Sequence, residues 1–273
     1  MSGFPGRQER VRLADGTELA VWIAGEGSPL LMVHGFPLDH RLWQPQALAL
    51  QDICQVIVPD LRGFGSSSVT SGTVTMEDHA DDLAELLERL KISVPVTLCG
   101  LSMGGYIAWQ FWRRHANRLA RLVLCHTRSE ADAPEVARGR LMAAEEFERV
   151  GLEKLSVEMP RKLLGTESLG GRPELEQTCR EWILSQPRAG AAAAQRGMAA
   201  RPDATPWLPE ITVPTLVVAG RTDAITPMAG MRAMADRLPQ ATWHLCEQAG
   251  HLSPLECPDE LNATLRAFLV HSS

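Results

Sequence analysis

The sequence predicts an α/β fold: a mostly parallel sheet flanked by helices, with a helical segment inserted in its second half. Three observations carry that reading. Short apolar runs alternate with helix-periodic stretches along most of the chain, the pattern of a parallel sheet covered on both faces. From about Arg128 to Trp207 the strand-like runs disappear and Ala, Glu, Arg, Leu and Met dominate. The run Cys99-Gly100-Leu101-Ser102-Met103-Gly104-Gly105 directly follows one apolar run and precedes an amphipathic one, as a sharp strand-to-helix turn does.

The elements follow in order. Val11-Arg12-Leu13 and Leu19-Ala20-Val21-Trp22-Ile23 flank Asp15-Gly16, a hairpin signal. Leu30 to Val33 is a buried strand, Leu42 to Leu50 a helix, and Val56-Ile57-Val58 a further strand ending at Pro59-Asp60. Thr75 to Asp78 reads as a capping box with Asp in place of the usual Glu or Gln. Met76, Ala80, Leu83, Leu87 and Leu90 continue it at helical spacing. Pro95 to Cys99 and Leu122 to Cys125 are strands, and Tyr106 to His115 between them is a helix. The stretch 128–207 is broken at Pro160, Gly170-Gly171-Arg172-Pro173, Pro187 and Pro202. It is too long for a structureless loop and is predicted as a helical cap insertion between core segments 1–127 and 208–273. Thr215 to Ala219 and Thr242 to Cys246 are strands, and Pro227 to Leu238 and Pro258 to Val270 helices.

A serine at the 99–105 turn adopts strained backbone angles, and glycines two residues to either side remove side chains that would clash. The turn lifts the hydroxyl off the sheet edge and aims the next N–H groups at any oxyanion formed there. A serine hydroxyl needs a base, and an imidazole base works best with a carboxylate fixing its tautomer. Asp223, in Gly220-Arg221-Thr222-Asp223 after one buried strand, and His251, in Gly250-His251 after the last, stand in the right places. Singly, each reads as an ordinary turn residue. With Ser102 they form the chain order Ser, Asp, His of triads built on such a turn.

The backbone N–H of Met103 is one expected oxyanion donor. Phe36, in His34-Gly35-Phe36-Pro37, is the other, because Gly35 lets the backbone turn inward and Pro37 has no N–H. His34 is expected to brace this loop by hydrogen bonds. Asp60, the rival acid, is expected in a structural turn with an internal contact to Arg62. The remaining histidines at 40, 79, 115, 126, 244 and 271 lie in helices, in strands, at a strand end or at the terminus, without a comparable loop.

These motifs, with Asp60-Leu61-Arg62-Gly63-Phe64-Gly65-Ser66-Ser67, resemble the α/β-hydrolase fold family over nearly the whole chain. The resemblance implies an eight-stranded sheet, a cap after the sixth strand and catalysis without a cofactor. Leu124 to Pro134 is similar to the cap entry of 3-oxoadipate enol-lactonases and related small carboxylesterases. Dehalogenases and epoxide hydrolases of this fold carry an aspartate at the position of Ser102, so their chemistry is not expected. The reading is a serine hydrolase of carboxylic esters or lactones acting through an acyl-enzyme on Ser102. C–C bond hydrolysis, acyl transfer and perhydrolysis use the same triad, and a non-hydrolytic ligand-binding protein on this scaffold is a further alternative. Arg128, at the cap entry, is a candidate for binding a substrate carboxylate. Trp182, with Met142, Phe147, Met159 and Met198, is a candidate for the acyl pocket.

Composition narrows the partners. A net charge of −6 argues against nucleic acid and anionic membrane, and no run is apolar enough to cross a bilayer. Met1 to Arg12 lacks the apolar core of a secretory signal, so a cytoplasmic setting is expected. The six cysteines show no C-x-x-C pairing, so neither a metal site nor a disulfide framework is expected.

Overall fold

A computed structural model describes residues 3–271. Eight strands form one sheet: β1 (Arg7–Arg12), β2 (Glu18–Ala24), β3 (Pro29–Val33), β4 (Gln55–Pro59), β5 (Val96–Leu101), β6 (Leu119–Cys125), β7 (Thr215–Gly220) and β8 (Ala241–Cys246). Their spatial order is β1-β2-β4-β3-β5-β6-β7-β8. The pairs β1–β2 and β2–β4 are antiparallel and all the others parallel. The expected sheet is therefore the observed one. Strand β1 starts four residues before its predicted apolar stretch, because its first residues are Arg, Gln and Glu on an exposed edge where hydropathy carries no signal.

Helices α1 (Gln44–Leu50), α2 (Met76–Arg89) and α3 (Met103–His115) cover the first half of the sheet. The capping box at Thr75 forms in both directions: Asp78 N–H donates to Thr75 Oγ1 at 3.0 Å, and Thr75 N–H to Asp78 Oδ2 at 2.8 Å. Among the described residues, the chain between β6 and β7 is helical without strands: α4 (Pro134–Val150), α5 (Glu153–Glu158), α6 (Pro160–Leu163), α7 (Thr166–Gly171), α8 (Pro173–Leu184), α9 (Arg188–Ala200) and a 3-10 turn at Thr205–Glu210. Pro134, Pro160 and Pro173 begin helices, where a missing N–H costs nothing. Helices α10 (Met228–Ala235), α11 (Ser253–Glu256) and α12 (Pro258–His271) complete the chain.

Strands β3, β5 and β7, each with a neighbour on both sides, are buried along their whole length, which explains their continuous apolar runs. Strand order reverses between β3 and β5, which pair side by side up to Val33↔Gly100. The loops leaving their carboxyl ends consequently emerge together, and such a crevice is where α/β sheets place their ligands.

Candidate active site

Ser102 stands between β5 and α3 at φ 55° and ψ −109°, a left-handed backbone rare for a residue with a Cβ. The turn tolerates that strain because its surroundings leave no room for anything else. A Cβ at Gly100 would lie 2.3 Å from the Gly104 carbonyl oxygen, one at Gly104 2.4 Å from that of Val33, and one at Gly105 2.3 Å from Thr127 Oγ1. The three glycines thus let α3 start directly against β3 and β6.

The same packing aims two N–H groups. The Ser102 carbonyl accepts from Gly105 N–H at 2.9 Å, Tyr106 N–H at 3.3 Å and Thr127 Oγ1 at 2.8 Å. Because a trans peptide points its N–H opposite its carbonyl, this fixes the Met103 N–H away from the helix, where it has no intrahelical acceptor. The β3 loop repeats the device. His34 is buried, its Nε2 accepts from Leu61 N–H at 3.1 Å, and its Nδ1–H donates to the Gly35 carbonyl at 3.0 Å. Holding that carbonyl fixes the Phe36 N–H on the opposite side. A Cβ at Gly35 would sit 3.2 Å from Ser102 Cβ, so this backbone passes against the serine. Burial pushes the His34 imidazole below its ordinary range, in keeping with a neutral ring that both donates and accepts. The Phe36 ring is buried, edge-on to Phe64 at 6.1 Å and stacked on Phe147 of α4 at 6.4 Å.

Asp223 and His251 come together as expected. Asp223 Oδ2 accepts from His251 Nδ1 at 2.8 Å, with both side chains essentially inaccessible. An ionised carboxylate only accepts, so the His251 proton sits on Nδ1 and leaves Nε2 as a free base. Burial opposes the Asp223 charge, yet the adjoining His251 and His126 rings hold its carboxyl well below the usual range. Its other oxygen accepts from Ile225 N–H at 2.8 Å and Thr226 N–H at 2.9 Å. Ser102 is half-buried, the most open of the three.

Two residues here escaped the sequence reading. His126, the residue after β6, donates from Nδ1 to Asp223 Oδ2 at 3.1 Å, and its Nε2 meets Ser253 Oγ at 2.7 Å. Its signal was position: β6 ends at the same sheet edge as β5, β7 and β8. Glu256 is buried, and its Oε1 accepts from Gly250 N–H at 2.9 Å and Leu252 N–H at 3.0 Å, the amides flanking His251. Its Oε2 accepts from Gly165 N–H at 2.7 Å and Ser168 Oγ at 2.8 Å. The His251 N–H itself donates to the Leu163 carbonyl at 2.8 Å. The α6–α7 segment is thereby fastened to the histidine loop.

The Asp60 turn corrects one expectation. Arg62 does not contact Asp60; it pairs with Asp82 at 2.5 Å and Asp15 at 2.8 Å. Asp60 instead accepts from the His40 N–H and Nδ1 and from the Ser66 N–H, because the left-handed Gly63 turns the Arg62 segment outward toward α2. Arg128 is half-buried, and its guanidinium donates to the Ile225 carbonyl in the Asp223 loop. It lines a cavity of about 420 Å³ with Thr127, Glu130, Val136, Pro227 and Met231, and Ser102 is not part of that lining. The Trp182 ring on α8 lies under the Arg41 guanidinium at 5.3 Å, and Met142 is 70% exposed.

Among the described residues three groups bring metal-ligating atoms together: His126, Asp223 and His251; His244, Cys246 and Glu260; and Asp39, His40 and Asp60. In the first, each ring proton is matched to the carboxylate, so the set is satisfied without an ion. Among the described residues no helix is long and apolar enough to cross a membrane.

Comparison with known proteins places the fold. An esterase structure from Thermogutta terrifontis, solved with malate bound, superposes with a TM-score of 0.95 at 43% identity, covering 98% of this chain and 99% of that one. The enol-lactonase of Burkholderia xenovorans superposes with a TM-score of 0.89 at 28% identity, covering 96% and 100%. 3-Oxoadipate enol-lactonase 1 of Acinetobacter baylyi is 27% identical over 93% of this chain and 94% of its own length. The family model for the α/β hydrolase fold matches residues 28–258, and the chain belongs to that family.

Proposed function

We propose that the protein is a serine hydrolase that cleaves carboxylic esters, lactones among them, through an acyl-enzyme on Ser102. The observation that carries the reading is a strained, half-buried serine and a buried Asp223–His251 hydrogen bond of 2.8 Å, both on loops that leave the carboxyl edge of one sheet. In this reading His251 Nε2 takes the Ser102 proton as Oγ attacks the carbonyl carbon. The oxyanion forms against the N–H groups of Phe36 and Met103, already turned that way by the bonds to the Gly35 and Ser102 carbonyls. His251⁺, stabilised by Asp223, returns the proton to the departing alkoxide. A water deprotonated by His251 then attacks the acyl carbon, and Ser102 Oγ leaves with that proton.

The 128–207 segment serves as a cap that shapes the acyl side. Gln186 ties it to the core through Gly65 N–H at 2.9 Å and Asp39 at 2.8 Å, and Phe147 stacks on Phe36. Arg128 acts as a brace of the acid loop, with its guanidinium on the Ile225 carbonyl. The relatives named as an esterase and as enol-lactonases support the ester and lactone substrate classes. The test is kcat/KM on p-nitrophenyl esters from acetate to decanoate and on simple lactones, with Ser102→Ala as control. The expected result is hydrolysis that vanishes in the variant, with a chain-length optimum that sizes the pocket. Turnover that survives in Ser102→Ala overturns the assignment.

A further inference from the structure

Resting on that reading, we infer that His126 is a positioning residue for the acid: held by Ser253, its Nδ1–H keeps Asp223 Oδ2 in line with His251 and draws off part of the carboxylate's charge. Three observations converge. The chain leaves β6 at Cys125 and places His126 at φ 48°, a left-handed conformation that turns the imidazole inward instead of along the strand. The ring is completely buried, so both nitrogens need partners, and both have them in the Asp223 carboxylate and the Ser253 hydroxyl. The tautomer is fixed from two sides: the carboxylate only accepts, so Nδ1 must donate, and Nε2 is left to accept from Ser253 Oγ.

Asp223 Oδ2 therefore takes three donors, from Thr226 Oγ1 at 2.6 Å, His251 Nδ1 at 2.8 Å and His126 Nδ1 at 3.1 Å. Three donors on one oxygen leave it little freedom to rotate away from His251. They also share its negative charge, so the attraction that Asp223 offers to a protonated His251 is smaller than that of a carboxylate bound to His251 alone. Removing the His126 donor leaves the Asp223 charge less shared, so the carboxylate favours a protonated His251 more strongly and raises the pH at which His251 gains its proton. Burial keeps His126 itself neutral, so it contributes a dipole and no repelling charge. The other ionic groups facing this cluster stay constant in the comparison. Glu256, from α11, is saturated by four donors, and the Arg128 guanidinium rests on the Ile225 carbonyl.

The experiment is an NMR titration of His251 in the full-length protein labelled with ¹⁵N-histidine, assigned with His251→Gln, for wild type, His126→Phe, His126→Asn and Ser253→Ala. His126→Phe fills the space without a donor and is expected to raise the His251 pKa by about one unit. His126→Asn suits the left-handed backbone and carries an amide N–H near the Nδ1 position, so its value should stay within about 0.3 of wild type. Ser253→Ala leaves the tautomer to the carboxylate but removes the hydroxyl that holds Nε2, so the ring's hold on Asp223 loosens and His251 should shift in the same direction by roughly half as much. The acidic limb of kcat/KM on a p-nitrophenyl ester should move in parallel. A His251 value unchanged or lowered in His126→Phe, or an Asn variant shifted as far as Phe, overturns the inference. If His126→Phe does not fold, the Ser253→Ala and His126→Asn values decide by the same criteria. Absence of Ser102-dependent hydrolysis would sink the hydrolase reading alone, because the titration is read without substrate.

Discussion

At the Ser102 turn the backbone is held by close approach. Any Cβ at Gly100, Gly104 or Gly105 would fall within about 2.4 Å of a neighbouring atom, and the serine accepts a left-handed conformation as the result. At the His251 loop, some hundred and fifty residues later, the means are different. The Glu256 carboxylate grips the amides on both sides of the histidine, Asp223 grips its ring, and Leu163 accepts its N–H. One end of the site is built from absent side chains, the other from buried polar ones that satisfy each other. Close packing tolerates no added atom. A hydrogen-bonded shell tolerates a replacement that keeps its donors and acceptors and punishes an orphan.

That contrast can be broken in several places. Ser102→Ala removes one oxygen and no packing, so kcat is expected to fall by about 10⁴ to 10⁶ with Tm nearly unchanged, as read by ester hydrolysis and calorimetry. Gly104→Ala should do the reverse. Its methyl would lie against the Val33 carbonyl, which no rotamer relieves, so a loss of about 3 kcal/mol or failure to accumulate as folded protein is expected in urea unfolding. Glu256→Gln swaps one acceptor oxygen for an NH₂ facing donors that have no other acceptor. A stability loss of about 1–3 kcal/mol is expected, with kcat/KM reduced about tenfold. An equal or smaller loss in Glu256→Ala would show that the shell does not work by hydrogen bonding.

His79 on α2, outside the site, is a buried histidine of the opposite kind. Like His126 it is completely buried, but neither of its ring nitrogens has a partner among the described residues, and burial pushes its pKa down to about 3 from an ordinary 6.5. The unfolded chain therefore binds a proton that the folded chain refuses as pH falls from about 6.5 toward 3, and stability declines across that window. His79→Leu should abolish this part of the decline, making the drop in unfolding free energy between pH 8 and pH 5 smaller by about 2 kcal/mol. An unchanged drop would mean that His79 is reached by solvent or by a partner in solution.

The two ends also differed in how far the sequence disclosed them. Steric constraint is written in local composition: the glycines around Ser102 and the Gly35-Phe36 turn stand next to the groups they serve. Asp223 and His251 were legible because each follows a strand at one sheet edge. His126 and Glu256 were not, because a buried hydrogen-bond partner has no periodicity, and its meaning depends on which loops the topology brings together. The Asp60 turn makes the same point in reverse. Arg62 lies two residues away in sequence, yet its guanidinium reaches Asp15 and Asp82, while Asp60 is satisfied by His40 and Ser66. The helical segment between β6 and β7 announced its prolines but not its attachments, since the Gln186, Phe147 and Gly165 contacts all cross long stretches of chain.

The proposed function stands on Ser102 as a nucleophile made reactive by His251. The most direct measurement is labelling with a fluorophosphonate, which forms a stable phosphonyl ester on an activated serine and releases fluoride. Intact mass and peptide mapping are then compared for wild type, Ser102→Ala and His251→Gln. One adduct per chain on Ser102 is expected, none in Ser102→Ala, and labelling slowed by orders of magnitude in His251→Gln. An adduct on another residue, or equal labelling of Ser102 without His251, would contradict it.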